Sequence, residues 1–120
     1  MTDRRTATAA VLFGGQLMTD PFYKTAKWKK KRDKIMRRDG YLCQYAKRFG
    51  RMEQAEVVHH IFPRESFPQY AWEDWNLISL TRTNHNRMHD RDTHELTSVG
   101  LELMRRTAKR HRIPPPPGGA

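Results

Sequence analysis

The chain has 120 residues, the length of a single domain. Its one cysteine, Cys43, excludes the intrachain disulfide framework on which small secreted domains depend. The formal charge is +10, and residues 22–52 hold 12 Lys and Arg against two acids, so this stretch carries the whole excess. Such a block is typical of proteins that bind a polyanion, most often a nucleic acid. A solvated helix face, or a basic patch that touches anionic lipid, is the alternative.

Composition and the N-terminal sequence indicate a folded protein without a membrane anchor. Apolar residues make up 37% of the chain, and three Trp, four Tyr and five Phe provide for a modest core. The apolar run AAVLFGGQLM, residues 9–18, is too short for a transmembrane helix, and no small-x-small cleavage site closes it. We therefore expect no membrane partner and a cytoplasmic location.

The basic stretch is predicted to be a helix behind a loosely structured arm. Residues 1–20 lack strong periodicity and form the predicted N-terminal arm. Asp20 is a suitable cap, a proline follows at a first-turn position, and Gly40 marks the end of a helix of about three or four turns. Trp28 and Ile35 would face the core and the lysines the solvent. Residues 41–54 are predicted to be a turn-rich connection.

The following residues predict two strands and two helices. AEVVHHIF, residues 55–62, has the β-branched content of a strand, and NLISL, residues 76–80, is a second strand. Between them, residues 63–75 are rich in proline and aromatic residues and favour a packed loop. Thr83 is the expected cap of a short helix containing NHNRMHDR. A C-terminal amphipathic helix is expected next, although Gly100 weakens it.

These elements predict an α+β fold, in which a ββα unit follows a basic helix and precedes a C-terminal helix. Residues 113–120 contain the sequence PPPPGGA, which cannot extend a helix and is predicted to be a flexible or polyproline tail.

Four histidines fall within the predicted ββα unit. His85 and His89 are four residues apart on the short helix, so both imidazoles lie on one face and can reach a single ion. His59 and His60 are adjacent at the end of the first strand. If the hairpin brings that strand end over the helix, one of them completes a three-imidazole site with open positions for water or phosphate. Pairs at this spacing also arise by chance on protein surfaces.

The tandem histidines raise a geometric question, because successive side chains of a strand point to opposite faces. Both can serve one site only if the strand ends or kinks there, and Pro63 nearby favours this. One imidazole would then bind a metal ion, while its neighbour, with a pKa near the reference value of about 6.5, accepts a proton from water. The alternative is one core and one surface histidine.

The segments VVHHIFP, WNLISL and HNRMHD resemble the HNH endonuclease motif of the ββα-metal, or His-Me finger, nucleases. His60, Asn76 and His85 stand at the name-giving positions. The preceding segment, FYKTAKWKKKRDKIMRRDGYLCQ, is similar to the basic helix of small bacteriophage-type HNH proteins, so the resemblance covers about residues 22–96. The spacing of His85 and His89 also resembles the histidine-rich variant found in DNase colicins.

The resemblance implies a metal-dependent DNA endonuclease. His60 would be the general base, and Asn76, whose carboxamide both donates and accepts hydrogen bonds, would hold the loop that orients it. By itself, Asn76 is equally compatible with an ordinary turn asparagine. The implied cofactor is one divalent ion, Mg, Mn, Zn or Ni, and its ligands would be His59, His85 and His89.

The resemblance also implies a domain layout and partners. Residues 21–112 would form the nuclease domain, with the ββα core at about 55–92. Double-stranded DNA is the implied substrate, and a phage or prophage origin with the packaging terminase as a partner is expected. The basic residues expected to contact DNA are Lys27, Lys29, Lys30, Lys31, Lys34, Arg37, Arg38, Arg64 and Arg87.

The chain departs from the family in one respect. Many relatives carry two C-x-x-C pairs that bind a structural zinc ion, whereas Cys43 has Ala46, Thr81 and Asn84 at the partner positions. No structural zinc is therefore expected. Two other functions remain open at this point: a non-catalytic DNA-binding module whose histidines hold structural zinc, and a basic RNA-binding protein. Neither gives His60 a role.

Overall fold

A computed structural model of the chain describes residues 12–13, 16–17 and 20–114. The predicted arm at 1–20 and the predicted tail at 113–120 lie largely outside the described residues. Within the arm, two short strands, β1 (Leu12–Phe13) and β2 (Gln16–Leu17), pair in antiparallel fashion. Among the described residues, no helix combines the length and hydrophobicity that crossing a bilayer requires.

The basic segment forms two helices where the sequence predicted one. Asp20 caps a single 3-10 helix, Pro21–Lys24, and its carboxylate accepts a backbone hydrogen bond of 2.8 Å. The backbone of Thr25 is extended, and its hydroxyl accepts a hydrogen bond of 3.1 Å that starts a new helix, α1 (Ala26–Arg38). The predicted continuous helix is therefore wrong in its first turn, because Thr25 is a second N-cap. Trp28 is buried as predicted.

A further helix, α2 (Gln44–Arg48), occupies the stretch that was predicted to be a turn-rich connection. Its N-cap is Cys43, whose sulfur accepts a hydrogen bond of 3.5 Å from the backbone of Ala46. Cysteine is not among the preferred capping residues, so no residue type marked the start of this helix.

The predicted strands form an antiparallel hairpin of β3 (Val57–His60) and β4 (Leu77–Leu80). The strand ends at His60, yet His60 is still paired in register with Leu77. Side chains therefore alternate through the tandem histidines, and the two imidazoles point to opposite faces. The connecting loop contains two 3-10 turns, Pro68–Tyr70 and Asp74–Asn76.

Two helices complete the ββα unit and its C-terminal extension. Helix α3 (Arg82–Arg87) begins two residues before the predicted position, because the Thr81 hydroxyl, not Thr83, accepts the capping hydrogen bond. Helix α4 (Ser98–His111) is capped by Thr97. The predicted α+β fold, a ββα unit between a basic helix and a C-terminal helix, is confirmed.

Each face of the hairpin has its own core. Trp28, Ile35 and Leu77 form the core on the α1 side. The larger core on the other side contains Phe62 and Met88 together with residues of α2 and α4. This division explains how two adjacent histidines are both buried in a small domain.

Candidate metal centre

Three of the four histidines meet on one face of the hairpin. His59 projects from β3 toward α3, which contributes His85, and His89 follows two residues after that helix. The ring centroid of His59 lies 5.1 Å from that of His85 and 5.4 Å from that of His89. One nitrogen from each ring lies within 4.8 Å of the other two. The prediction that His85 and His89 share one helix is therefore wrong, because α3 ends at Arg87 and His89 forms an isolated β-bridge with Leu96.

The chemistry of the three rings fits a metal ion. His59 is 2% exposed, and its Nε2, like Nε2 of His89, is buried without a hydrogen-bond partner among the described residues. Buried polar atoms left unpaired cost free energy, so such atoms indicate a missing ligand. Nδ1 of His89 donates to the carbonyl of His94 at 3.1 Å, which leaves Nε2 as the acceptor. The three residues therefore offer a divalent ion a set of neutral imidazoles.

Burial keeps these histidines neutral. It lowers the pKa of His59 well below its ordinary value, and the neighbouring imidazoles lower it further. Burial likewise lowers the pKa of His85 to about 4, followed by repulsion from His89. The pKa of His89 is also lowered by burial. Neutral imidazole is the form that binds metal, so the site is ready for an ion at neutral pH.

His60 lies on the other face and does not join this cluster. Its ring stacks on Trp28, with centroids 5.3 Å apart and planes inclined by 21°, and it is 7% exposed. Nε2 donates to the carbonyl of Ala71 at 3.1 Å. Burial lowers the pKa of His60 to about 4. The expectation of a pKa near 6.5 is therefore wrong, because desolvation by burial disfavours the charged ring.

Asn76 closes the base of the long loop. It is fully buried, and its Oδ1 accepts from the backbone N–H of Phe62 at 2.7 Å. Its Nδ2 donates to the carbonyls of Phe62 and Tyr70, both at 3.1 Å. Tyr70 precedes Ala71, so the side chain of Asn76 fixes the loop at the carbonyl that meets His60. An ordinary turn asparagine would not make these three bonds across the loop.

Several of the basic residues expected to contact DNA hold the fold together. Lys31 and Lys34 both contact the carboxylate of Asp74, at 2.6 and 2.7 Å. Arg38 donates to the carbonyl of Leu77 at 2.7 Å. These contacts tie α1 to the end of the loop and to β4, so the three cations are partly engaged within the protein.

The other predicted DNA-contacting residues differ in exposure. Lys27 lies over the ring of Trp72, 4.1 Å from its centroid. Arg64 pairs with Asp20 and lies 4.1 Å from the centroid of Phe22. The remaining predicted contacts, all exposed, are Lys29, Lys30, Arg37 and Arg87.

The four positions at which the resemblance would place a structural zinc site come together around Cys43. Its sulfur accepts from Nδ2 of Asn84 at 3.3 Å and from the backbone of Ala46 at 3.5 Å, and lies 4.0 Å from the Thr81 hydroxyl. Burial alone would raise the pKa of the Cys43 thiol, but these hydrogen bonds lower it below its usual value. One sulfur and its polar neighbours thus occupy the place of a four-ligand site.

Sequence reasoning missed the groups that orient the histidines. The carbonyls of Ala71 and His94 are backbone atoms, and no residue type identifies them in advance. His94 itself has a left-handed backbone with φ of 64°. The stacking of Trp28 on His60 was also missed, because the sequence predicted only that Trp28 faces the core.

The fold has a counterpart among solved structures. The chain matches the crystal structure of the HNH endonuclease of the deep-sea thermophilic bacteriophage GVE2 with manganese ion. The sequences are 26% identical, the TM-score is 0.54, and the match covers 77% of this chain and 80% of that chain. No protein-family model and no curated protein matches this chain.

Proposed function

We infer that this chain, a member of the HNH endonuclease family, is a metal-dependent nuclease that hydrolyses phosphodiester bonds of double-stranded DNA. The observation that carries this proposal is the convergence of His59, His85 and His89, with ligand atoms within 4.8 Å of one another. The manganese ion of the phage HNH endonuclease structure supports a single divalent ion as cofactor.

The three clustered histidines would hold this ion. When bound, a divalent ion neutralises charge that develops on the phosphate and on the leaving oxygen. Ligand preference ranks Zn, Ni and Cu above Mg for an all-imidazole site, so affinity alone does not select the working ion among Mg, Mn, Zn and Ni. A closed structural zinc site has four protein ligands, whereas three are grouped here among the described residues. This count favours a catalytic site.

His60 is the proposed general base. Because its Nε2–H donates to the carbonyl of Ala71, the neutral ring keeps a lone pair at Nδ1, which is the atom that would accept a proton from water. The lowered pKa keeps the ring neutral at pH 7. Asn76 is a positioning residue, since it acts through the loop that contains Ala71. Hydrolysis by this route gives 5'-phosphate and 3'-hydroxyl ends.

The burial of His60 gives the main rival explanation for this residue. A ring that is 7% exposed and stacked on Trp28 is also what a core histidine looks like. A base must meet water at Nδ1, whereas a core residue only has to hold the loop. Replacing the imidazole distinguishes the two roles, because DNA cleavage requires the ring only if His60 is the general base.

Supercoiled plasmid nicking with a panel of divalent ions tests the function. Wild type should nick, and His60→Ala should lose at least about 100-fold in rate, the usual contribution of a general base. Calorimetric titration should show unchanged metal affinity in His60→Ala and a large loss in His85→Ala. Met52→Ala, which truncates a side chain that is 80% exposed and lies outside the cluster, is the control and should keep full activity.

Three outcomes would contradict the proposal. Zinc binding and DNA retention without nicking in any ion would indicate the non-catalytic module. Nicking by folded His60→Ala at the wild-type rate would make His60 a core residue. Equal losses of metal affinity in His60→Ala and His59→Ala would show that the roles of base and ligand are wrongly assigned to these two residues.

The biological setting is part of the proposal. We propose a phage or prophage protein that acts in the host cytoplasm with the DNA-packaging terminase, and the phage source of the matching structure supports this origin. Co-purification with a terminase encoded in the same genome tests the partner.

A further inference from the structure

A cleft of about 460 Å³ lies where α1, α2 and α4 end. Ile61, Ile78 and Leu103 are among the apolar residues that line it. Ile78 is paired with His59 in the hairpin, and Ile61 is two residues further along the chain, so both lie on the face that carries the metal centre. The cleft and the candidate metal centre therefore share one surface of the sheet.

Basic side chains from three helices surround these apolar residues, which we call the apolar floor of the cleft. Two acids oppose them: Asp39 lines the cleft, and Glu102 pairs with Arg48 at 3.4 Å. Three positive charges are left over from the five basic side chains in the cleft. These side chains are Arg38 from α1, Lys47 and Arg48 from α2, and Arg106 and Arg110 from α4.

The excess charge is not used within the protein. The side chains of Lys47, Arg106 and Arg110 form no hydrogen bond or ion pair with any residue that the structure describes. Helix C-termini attract cations, and three helices end here, but each end carries at most about half an elementary negative charge. The helix ends therefore offset less than the three unpaired cations, and the cleft stays positive above an apolar floor.

We infer that this cleft binds the phosphodiester backbone of the duplex beside the cleaved bond. The choice of DNA among polyanions rests on the proposed function. Arg106 and Arg110 are one helical turn apart on the same face of α4, and guanidinium groups bind phosphate through paired hydrogen bonds. Contacts from guanidinium groups to phosphate oxygens carry no direct sequence information, so this contact is independent of base sequence.

The proposal adds a second DNA-binding surface to the one predicted from the sequence. Of the cations in the cleft, only Arg38 belongs to the predicted set, and Arg38 is engaged with backbone carbonyls. Lys47, Arg106 and Arg110 thus provide contacts that α1 does not. A duplex held by both surfaces would be fixed on two sides of the hairpin.

The salt dependence of metal-free DNA binding tests this inference. Binding of a short labelled duplex in EDTA is measured by fluorescence anisotropy over a range of salt concentrations. Each phosphate contact contributes about 0.9 to the slope of log K against log salt. The double variant Arg106→Gln/Arg110→Gln should lower that slope by about 2.

A matched control lies on the same helix. Arg105→Gln/Lys109→Gln removes the same charge from exposed positions that do not line the cleft, and it should change the slope by less than half as much. Equal losses from both pairs, or no loss from the cleft pair, would overturn the inference. So would tighter, Arg106-dependent binding of a matched RNA duplex. Melting temperatures verify that both variants fold.

Failure of this inference is distinguishable from failure of the proposed function. Binding is measured without metal and without cleavage, so it does not depend on the histidines. If the Arg106→Gln/Arg110→Gln variant shows the expected decrease in salt slope but the wild-type protein nicks no plasmid, the cleft is a DNA-binding site and the nuclease proposal is rejected. If the wild-type protein nicks plasmid but the double variant has an unchanged salt slope, only the proposal for the cleft is rejected.

Discussion

Burial determines the protonation of the histidines in the ββα unit. His60 shows this most clearly, because its face of the hairpin contains aromatic rings: Trp28 stacks on it, and Phe22 lies 5.8 Å away between centroids. Desolvation is the first cause of its pKa of about 4, and the charge of Arg64 adds to it. The contacts of His60 in the structure are therefore the same whether it serves as a general base or as a packed core residue.

Acidification should therefore unfold the metal-free protein. Between pH 6.5 and 4 the unfolded chain protonates His60 while the folded chain does not, so the unfolding free energy falls as the pH falls. Full loss of this contribution corresponds to about 3 kcal/mol. His60→Gln, which keeps a donor for Ala71, should flatten the dependence. Urea denaturation at a series of pH values measures it, and identical slopes for the two proteins would contradict the explanation.

At the residue scale, the sequence predicted side chains better than their partners. Helical spacing predicted that His85 and His89 meet, but α3 ends at Arg87, and His89 reaches His85 and His59 from the residues that follow the helix. The partners of His60 could not be predicted, since a loop carbonyl and a stacked tryptophan depend on how a 13-residue helix crosses the hairpin.

At the scale of elements, α4 depends on one glycine. A Cβ on Gly100 would meet the backbone carbonyl of Met88 and lie 2.8 Å from Cδ2 of Leu96. The sequence marked Gly100 as a weakness of the helix, whereas the structure shows that the close approach of α4 to Met88 requires it. Met88 directly precedes His89, so this contact also supports the metal centre.

Gly100→Ala should destabilise the protein, although the same change in an exposed helix gains up to about 1 kcal/mol. Overpacking at this contact should cost about 1–3 kcal/mol and weaken metal binding through His89. Urea denaturation and metal titration measure the two effects. Arg105→Ala, at an exposed position of α4, is the control and should stay within about 0.5 kcal/mol. A more stable Gly100→Ala protein would show that the helix can move away.

Element boundaries followed capping chemistry that the sequence only partly reveals. Thr25 and Thr81 cap α1 and α3, although Asp20 and Thr83 are equally good caps by residue type. Tertiary contacts decided between them. Strands were easier to predict, because β-branched residues and the following proline mark their ends.

At the scale of the whole molecule, the surroundings of Cys43 join distant parts of the chain. Cys43 caps α2, Thr81 caps α3, and Asn84 bonds the sulfur across 41 positions of sequence. Hydrogen bonds to one sulfur thus link α2 to the start of α3. The order of elements and the charge block were predictable from sequence, but this junction depends on a convergence that no local pattern encodes.

Cysteines at all four of these positions should create a zinc site. Ala46→Cys/Thr81→Cys/Asn84→Cys would place four thiolates around one point, which suits tetrahedral zinc. We expect one zinc per chain, measured in a His85→Ala background that lacks the histidine site, and a melting temperature raised by several degrees. The corresponding triple serine variant should bind none and melt lower. A triple cysteine variant without zinc would show that the four positions are too far apart.

The pairing of β3 with β4 has a consequence for how this protein can change. A slip of the hairpin by a single residue would exchange the two imidazoles, so that His59 entered the aromatic side and His60 the ion-binding side. Asn76 opposes such a slip, because its bonds to Phe62 lock the strands where the loop begins. Insertions and deletions in the connection are therefore tolerable only where they leave that lock in place.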